Sequence, residues 1–210
     1  MTWIRSALEQ VRENRVAYIL LNLAYYGIVL AGMGVAALNP QIQRTLLESV
    51  GQALTEGPLS TVAGAYTGGQ VISAILLTFL INLILGSFIY ITLPSLFIPF
   101  SGILLGFIRA MLWGLLFAPT TPELAMTMIP HSLTLILEGQ GYIFAMLAAY
   151  VHGRAVLWPE SIDAENRLEG YLGGLVRAGW VYALVTLTLL VSAIYEALEV
   201  IYLVPAMLSL

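Results

Sequence analysis

The sequence predicts an all-α fold, a polytopic transmembrane helical bundle of five spans with its N-terminus cytoplasmic, and three observations predict it. The 210-residue chain is 60% hydrophobic and 10% charged, against roughly 45–50% and about 25% in soluble chains. Apolar runs long enough to cross a bilayer recur along its length. Arginines cluster at the ends of those runs that share one side of a five-span arrangement. Composition excludes a disordered chain, a secreted disulfide scaffold and a cytosolic enzyme of ordinary make-up.

Residues 1–15 read as a cytoplasmic amphipathic segment. Trp3, Ile4, Ala7, Leu8 and Val11 fall at helical spacing opposite Arg5, Glu9, Arg12 and Glu13. The rest, 16–210, reads as a single transmembrane domain. A spanning helix needs about 20 mostly apolar residues, and five segments qualify. The first, 16–38, exceeds the roughly 7–15 apolar residues of a signal peptide and is retained. The second, 71–93, is closed by Pro94, and the third, 97–118, by Pro119. The fourth, 133–151, is entered through Pro130-His131. The fifth begins near Tyr171 and runs to 204, just before Pro205. At about 1.5 Å per residue it is roughly 51 Å long, more than the roughly 30 Å hydrocarbon core, so it tilts, breaks or projects.

Between the first two spans, Ile42, Leu46, Leu47, Val50 and Leu54 repeat the amphipathic pattern opposite Arg44 and Glu48. Both amphipathic segments suit either the membrane plane or a face of the protein. The run Gly57–Gly69 reads as a turn-rich external connector. Orientation comes from arginine, the only basic residue type besides histidine. Arg5, Arg12, Arg15, Arg154, Arg167 and Arg177 fall on or near the cytoplasmic side, Arg44 on the other, and Arg109 within a span. That bias places the N-terminus inside.

Several chemistries are excluded directly. The chain has no cysteine, so disulfides and thiolate sites are absent. A net charge of −4 leaves no broad cationic face for nucleic acid. No HExxH, GxSxG, Walker A or GxGxxG motif occurs. His131 and His152 flank one span about 31 Å apart, too far to share a haem or a metal. No cofactor or metal is expected, and the soluble segments are too short for a catalytic domain. The internal loop His152–Gly170 is long enough to dock a cytoplasmic partner and carries six charged residues.

Charged residues inside spans are costly and by default suggest a site. Arg109 lies eight residues from the outer end of the third span, and Glu138 seven below His131 in the fourth. Those helices are antiparallel, so the two charges sit at one level and are expected to pair. Glu196 reaches comparable depth in the fifth span, with Glu199 one turn above it, Asn82 in the second span and His131 at the rim. Two readings stay open: the charges neutralise each other and fix helix order, or they form a binding, conduction or proton-handling site. Small residues mark where helices touch: Gly102, Gly106 and Ala110; Gly139, Gly141, Ala145 and Ala149; and Gly27, Ala31 and Gly34. These serve intramolecular packing or a homodimer face.

Spans two to five resemble the stage II sporulation protein M superfamily, small membrane proteins of bacteria and archaea. The counterparts are Phe79-Leu80-Ile81-Asn82, Phe100-Ser101-Gly102 with Gly106, Pro130-His131-Ser132 with Glu138, and Ala193-Ile194-Tyr195-Glu196-Ala197. Three positions depart from the pattern: one asparagine of a pair is present, Ser101 replaces an asparagine, and Ser132 replaces a glycine. The resemblance covers about 135 residues. It implies a multi-pass protein of a prokaryotic plasma membrane that joins partner proteins as a scaffold. The expected function is therefore a non-enzymatic subunit or scaffold of a membrane complex, with the lipid bilayer, a protein partner or a homo-oligomer as partners and no nucleic acid. The alternative is a small transporter or channel using Arg109, Glu138 and Glu196.

Overall fold

Almost every segment of this chain is apolar, and only helices satisfy backbone hydrogen bonds internally in such surroundings. The computed structural model describes residues 2–57 and 59–208. Met1, Pro58 of the expected connector, and Ser209 and Leu210 of the expected bundle domain lie outside the described residues. Among the described residues the fold is all-α, with eight helices in chain order: α1 (Thr2–Glu13), α2 (Arg15–Leu38), α3 (Pro40–Thr55), α4 (Ser60–Thr67), α5 (Val71–Phe97), α6 (Ser101–Leu116), α7 (Pro122–Leu157) and α8 (Arg167–Leu208). Four of them, α2, α5, α7 and α8, are long and apolar enough to cross a membrane. They mark a multi-pass membrane protein.

Several boundaries differ from the sequence expectation, each for a local reason. The third span was expected over 97–118, but α6 covers only Ser101–Leu116, about 24 Å by helical rise. Ile98 precedes Pro99 and is extended, since the proline ring disfavours helix in the residue before it. Phe100 then turns the chain in the left-handed region, with φ of 69°. Its ring packs near those of Tyr150 and Trp158, holding this turn against the far ends of α7. The fourth span was expected over 133–151, yet α7 runs from Pro122 to Leu157. Thr121 caps its N-terminus by accepting from the Leu124 N–H, and Pro122 occupies the first turn, where its missing N–H costs nothing. Pro130 sits inside this helix.

Neither Pro94 nor Pro205 ends its helix. A stretch of wider π-helix, Ile81–Thr92, precedes Pro94, and a shorter one, Glu199–Leu203, precedes Pro205. The i→i+5 pattern removes the need for the i→i+4 bond that proline would break. The last helix therefore runs unbroken over 42 residues, about 63 Å by helical rise. It starts at Arg167, not Tyr171, because Asn166 accepts from the N–H groups of Leu168 and Glu169 while Glu169 reaches back to Asn166 and to the Glu165 N–H. The loop expected over His152–Gly170 accordingly shrinks to residues 158–166. It offers far less surface to a partner than the sequence suggested.

Helix α7 is the centre of the bundle, and Tyr142, Ile143 and the run Ala145–Ala149 are fully buried. Helices α2, α5, α6 and α8 surround it. The glycine stripe of α6 is spent inside the chain: Gly102 meets the Ile91 carbonyl, Gly106 meets Met146, and Gly114 meets the Val29 carbonyl. In α2 the contact glycine is Gly32, whose position lies against Gly114 and the Met111 carbonyl. The expected stripe of Gly27, Ala31 and Gly34 instead faces outward, and a Cβ on either glycine would meet nothing. The true α2 face is Leu21, Tyr25, Val29, Gly32 and Ala36.

The two amphipathic helices also turn differently from their patterns. Helix α1 buries Ala7 and Gln10, and Asn14 just after it is buried too, while Trp3, Ile4 and Leu8 stay uncovered. Helix α3 buries Gln43, not Ile42, Leu47 or Val50. The Gln43 amide donates to the carbonyls of Leu116 and Ala118 at 2.9 and 2.8 Å and accepts from the Thr120 hydroxyl. One polar side chain thus satisfies carbonyls left free at the end of α6 and pins α3 there.

Candidate functional site

A cavity of about 390 Å³ opens at the α3–α4 end of the bundle. Leu54, Leu59 and Val62 of the α3–α4 segment cover it, and Asn82, Arg109, His131, Glu138 and Glu196 line it. Five of the six residues singled out in the sequence therefore come together around one space, although they arise from four helices. Glu199 is fully buried behind the His131 side of this space. His131 Nδ1 lies 2.9 Å from Glu199 Oε1, and the Thr134 hydroxyl donates to the other carboxylate oxygen. Histidine, carboxylate and hydroxyl form one closed unit that ties α7 to the π-turn of α8.

Arg109 and Glu138 do face each other, with Arg109 Nη2 3.6 Å from Glu138 Oε1. Their connection runs mainly through a residue that the sequence reading missed. The Tyr142 hydroxyl accepts from Arg109 Nη2 at 2.5 Å and donates to Glu138 Oε1 at 2.5 Å. Asn82 Oδ1 lies 2.9 Å from the same hydroxyl. A phenol has one proton to give. With that proton on Glu138, the Asn82 amide must present its N–H₂ to the phenolic oxygen, the rotated form of the side chain. The Arg109 guanidinium carbon also stands 4.1 Å from the Tyr142 ring centre, a cation–π contact. Gly86 makes room for that ring, since a Cβ there would come within 3.0 Å of it. Tyr142 follows Glu138 by one helical turn, and this i,i+4 relation was the available signal.

Glu196 stands apart. Among the described residues it forms no ion pair; it lines the cavity, and its Oε2 is buried without a hydrogen-bond partner. Arg109 Nε is likewise unpartnered, whereas its Nη2 is committed to Tyr142 and Glu138. Counting the lining charges, one arginine faces two carboxylates, so the space carries one carboxylate in excess. Among the described residues no cluster of three or more histidine, cysteine or acidic side chains is placed to hold a metal ion.

A second polar network was also missed. Gln140 accepts from the Tyr18 hydroxyl at 2.8 Å and donates to Asn22 and to Tyr26, whose own hydroxyl donates to the Ile136 carbonyl. It seals α2 to α7 beside the cavity and is itself satisfied, so it reads as packing. No protein-family model, no curated protein and no solved structure matches this chain.

Proposed function

We propose that this protein is a non-enzymatic multi-pass membrane protein that binds a small organic cation in the α3–α4-end cavity and passes it through the outer half of the membrane. The observation that carries the reading is Glu196, a carboxylate with a buried unpartnered oxygen facing a cavity whose arginine is already held by Glu138 and Tyr142. A buried carboxylate without a partner is expensive in isolation, and a cation in the cavity supplies the missing charge. Trp113 and Phe117 line the same space, and aromatic rings attract alkylammonium groups. The volume lies at the lower end of small-molecule sites, about 300–1,000 Å³. In this proposal α6 is a short fifth span, the N-terminus is cytoplasmic and the cavity opens outward.

The absence of native cysteine gives a clean test. Thr78→Cys and Asn82→Cys, both on the cavity wall, should react with a membrane-impermeant thiol reagent added outside whole cells. Ethylammonium or tetramethylammonium should protect them, while Leu85→Cys on the lipid side should stay unlabelled. Labelling from inside only, or labelling that no cation slows, would sink the proposal.

The second reading is the scaffold role in a membrane complex, with the resemblance to the stage II sporulation protein M superfamily. One observation favours that resemblance: its motif residues Asn82, His131, Glu138 and Glu196, far apart in sequence, gather around one cavity. Purification in mild detergent with mass spectrometry separates the two readings. A stoichiometric partner supports the scaffold; a lone protein that binds the cation supports the first.

A further inference from the structure

At the opposite end of the bundle, a cleft of about 250 Å³ lies between α1, the end of α7, the 158–166 loop and the start of α8. Its charge balance is the reverse of that in the first cavity. Arg154 and Arg177 line it against a single carboxylate, Glu13. Arg177 uses that carboxylate at 3.3 Å. Arg154 has no carboxylate partner among the described residues and spends one N–H on the Asn14 amide oxygen at 3.2 Å. Two polar atoms in the wall are buried with nothing to bond. They are the Ser161 hydroxyl and the amide oxygen of Gln10, a residue only 3% exposed. Gln10 already donates to Glu13, so its amide orientation is fixed and the orphan is an acceptor.

Buried unsatisfied groups are uncommon in a finished interior, and each calls for an explanation. We propose that this cleft binds a phosphate group bearing a neighbouring hydrogen-bond donor, a hydroxyl or an ammonium. The remaining N–H groups of the Arg154 guanidinium and the Ser161 hydroxyl supply donors to the phosphate oxygens, a geometry to which arginine is well suited. The Gln10 carbonyl and Glu13 accept from the neighbouring donor. Ordinary arginine anchoring at a membrane surface explains a charge at the end of a helix; it does not explain a walled cleft with an orphaned donor and an orphaned acceptor on opposite groups. The same chemistry is offered by a phospholipid headgroup and by a soluble phosphomonoester.

Both sources can be tested on the full-length protein in detergent. Phosphoethanolamine should raise the unfolding temperature in a saturable way, inorganic phosphate should do so more weakly, and ethanolamine alone should not. Native mass spectrometry should show phosphatidylethanolamine retained in preference to phosphatidylcholine, whose headgroup nitrogen carries no N–H. Arg154→Gln and Ser161→Ala should each weaken the binding at least tenfold, while Arg12→Gln, outside the cleft, should leave it unchanged. Because the readout is the ligand-dependent shift, a lower starting stability of Arg154→Gln does not obscure it. A soluble probe that saturates identifies a free phosphomonoester site. Lipid retention that is lost in both variants, without a soluble response, identifies a headgroup site. If no phosphate probe binds the native protein, or if Arg154→Gln and Arg12→Gln behave alike, the proposal is wrong.

Discussion

Replacing Arg109 or Glu138 singly by leucine should damage the protein far more than replacing both. Glu138 is 6% exposed and lies 3.6 Å from the Arg109 guanidinium, with Tyr142 bridging them. Arg109→Leu leaves the carboxylate with one phenolic hydrogen bond and no counter-charge; Glu138→Leu leaves the guanidinium with the phenol alone. Breaking a buried pair in this way costs about 3–5 kcal/mol. The double substitution removes both charges and leaves only Tyr142 and Asn82 to re-pair with each other, so its cost is the loss of about one or two neutral-equivalent contacts, about 1–3 kcal/mol. Additive behaviour would require about 6–10 kcal/mol for the double variant. The assay is thermal unfolding of purified protein in one detergent. For chains of this length about 1 kcal/mol moves the midpoint by roughly 2–4 °C, so the single variants should fall by about 6–20 °C. Glu196→Leu should raise Arg109→Leu by no more than it raises the native protein, because Glu196 makes no ion pair with the arginine. A double variant as unstable as the sum of the singles, or rescue by Glu196→Leu in place of Glu138→Leu, would refute the pairing.

Three other outcomes follow from particular contacts. Glu196→Leu on the native background should raise thermal stability, since it removes a buried unsatisfied oxygen worth about 1–3 kcal/mol, and should abolish cation protection in the labelling assay; a lowered midpoint would show that the carboxylate is already satisfied. Gly114→Ala should destabilise by about 1–3 kcal/mol because its Cβ meets the Val29 carbonyl, whereas Gly27→Ala, facing open space, should be neutral or gain about 0.5–1 kcal/mol; equal effects in thermal unfolding would refute the assigned α2–α6 face. Gln43→Ala should free α3, leaving the Leu116 and Ala118 carbonyls without their side-chain donor, and hydrogen exchange over residues 40–55 should rise while the core of α7 stays protected.

Four of the five expected spans were legible as long apolar helices, because the bilayer imposes a length and an apolar composition that few other structures share. Their ends were legible only where a rule acts locally. Thr121-Pro122 and Asn166 with Glu169 are ordinary start signals that the apolar runs masked. Pro94 and Pro205 read as stops only under α-helical spacing, and the π-turns before them replace that spacing. Rotation about each helix axis was the least legible feature. In α2 nearly every face is apolar, so periodicity could not tell the outward Gly27 from the packed Gly32; in α1 and α3 the apolar stripe is clear but is not the face that packs, so it could not foresee that Gln43 would be the buried residue of α3.

The site was legible in its members and not in its wiring, and the reason is chemical. A charge within an apolar helix is conspicuous in sequence because it is costly in lipid, so Arg109, Glu138, Glu196 and Glu199 stood out. Tyrosine is not costly there, and the residue that joins Arg109, Glu138 and Asn82 was hidden among eleven tyrosines. The wiring separates carboxylates that the sequence treats alike. Glu138 is held by a cation and a phenol, and Glu199 by a histidine and a threonine. Glu196, the remaining one, faces the cavity with an oxygen to spare. Two satisfied carboxylates fix the bundle, and that fixed frame is what holds the unsatisfied one in place. The proposed cation site rests on this division, because a charge that is to meet a ligand must not be consumed by the scaffold that presents it.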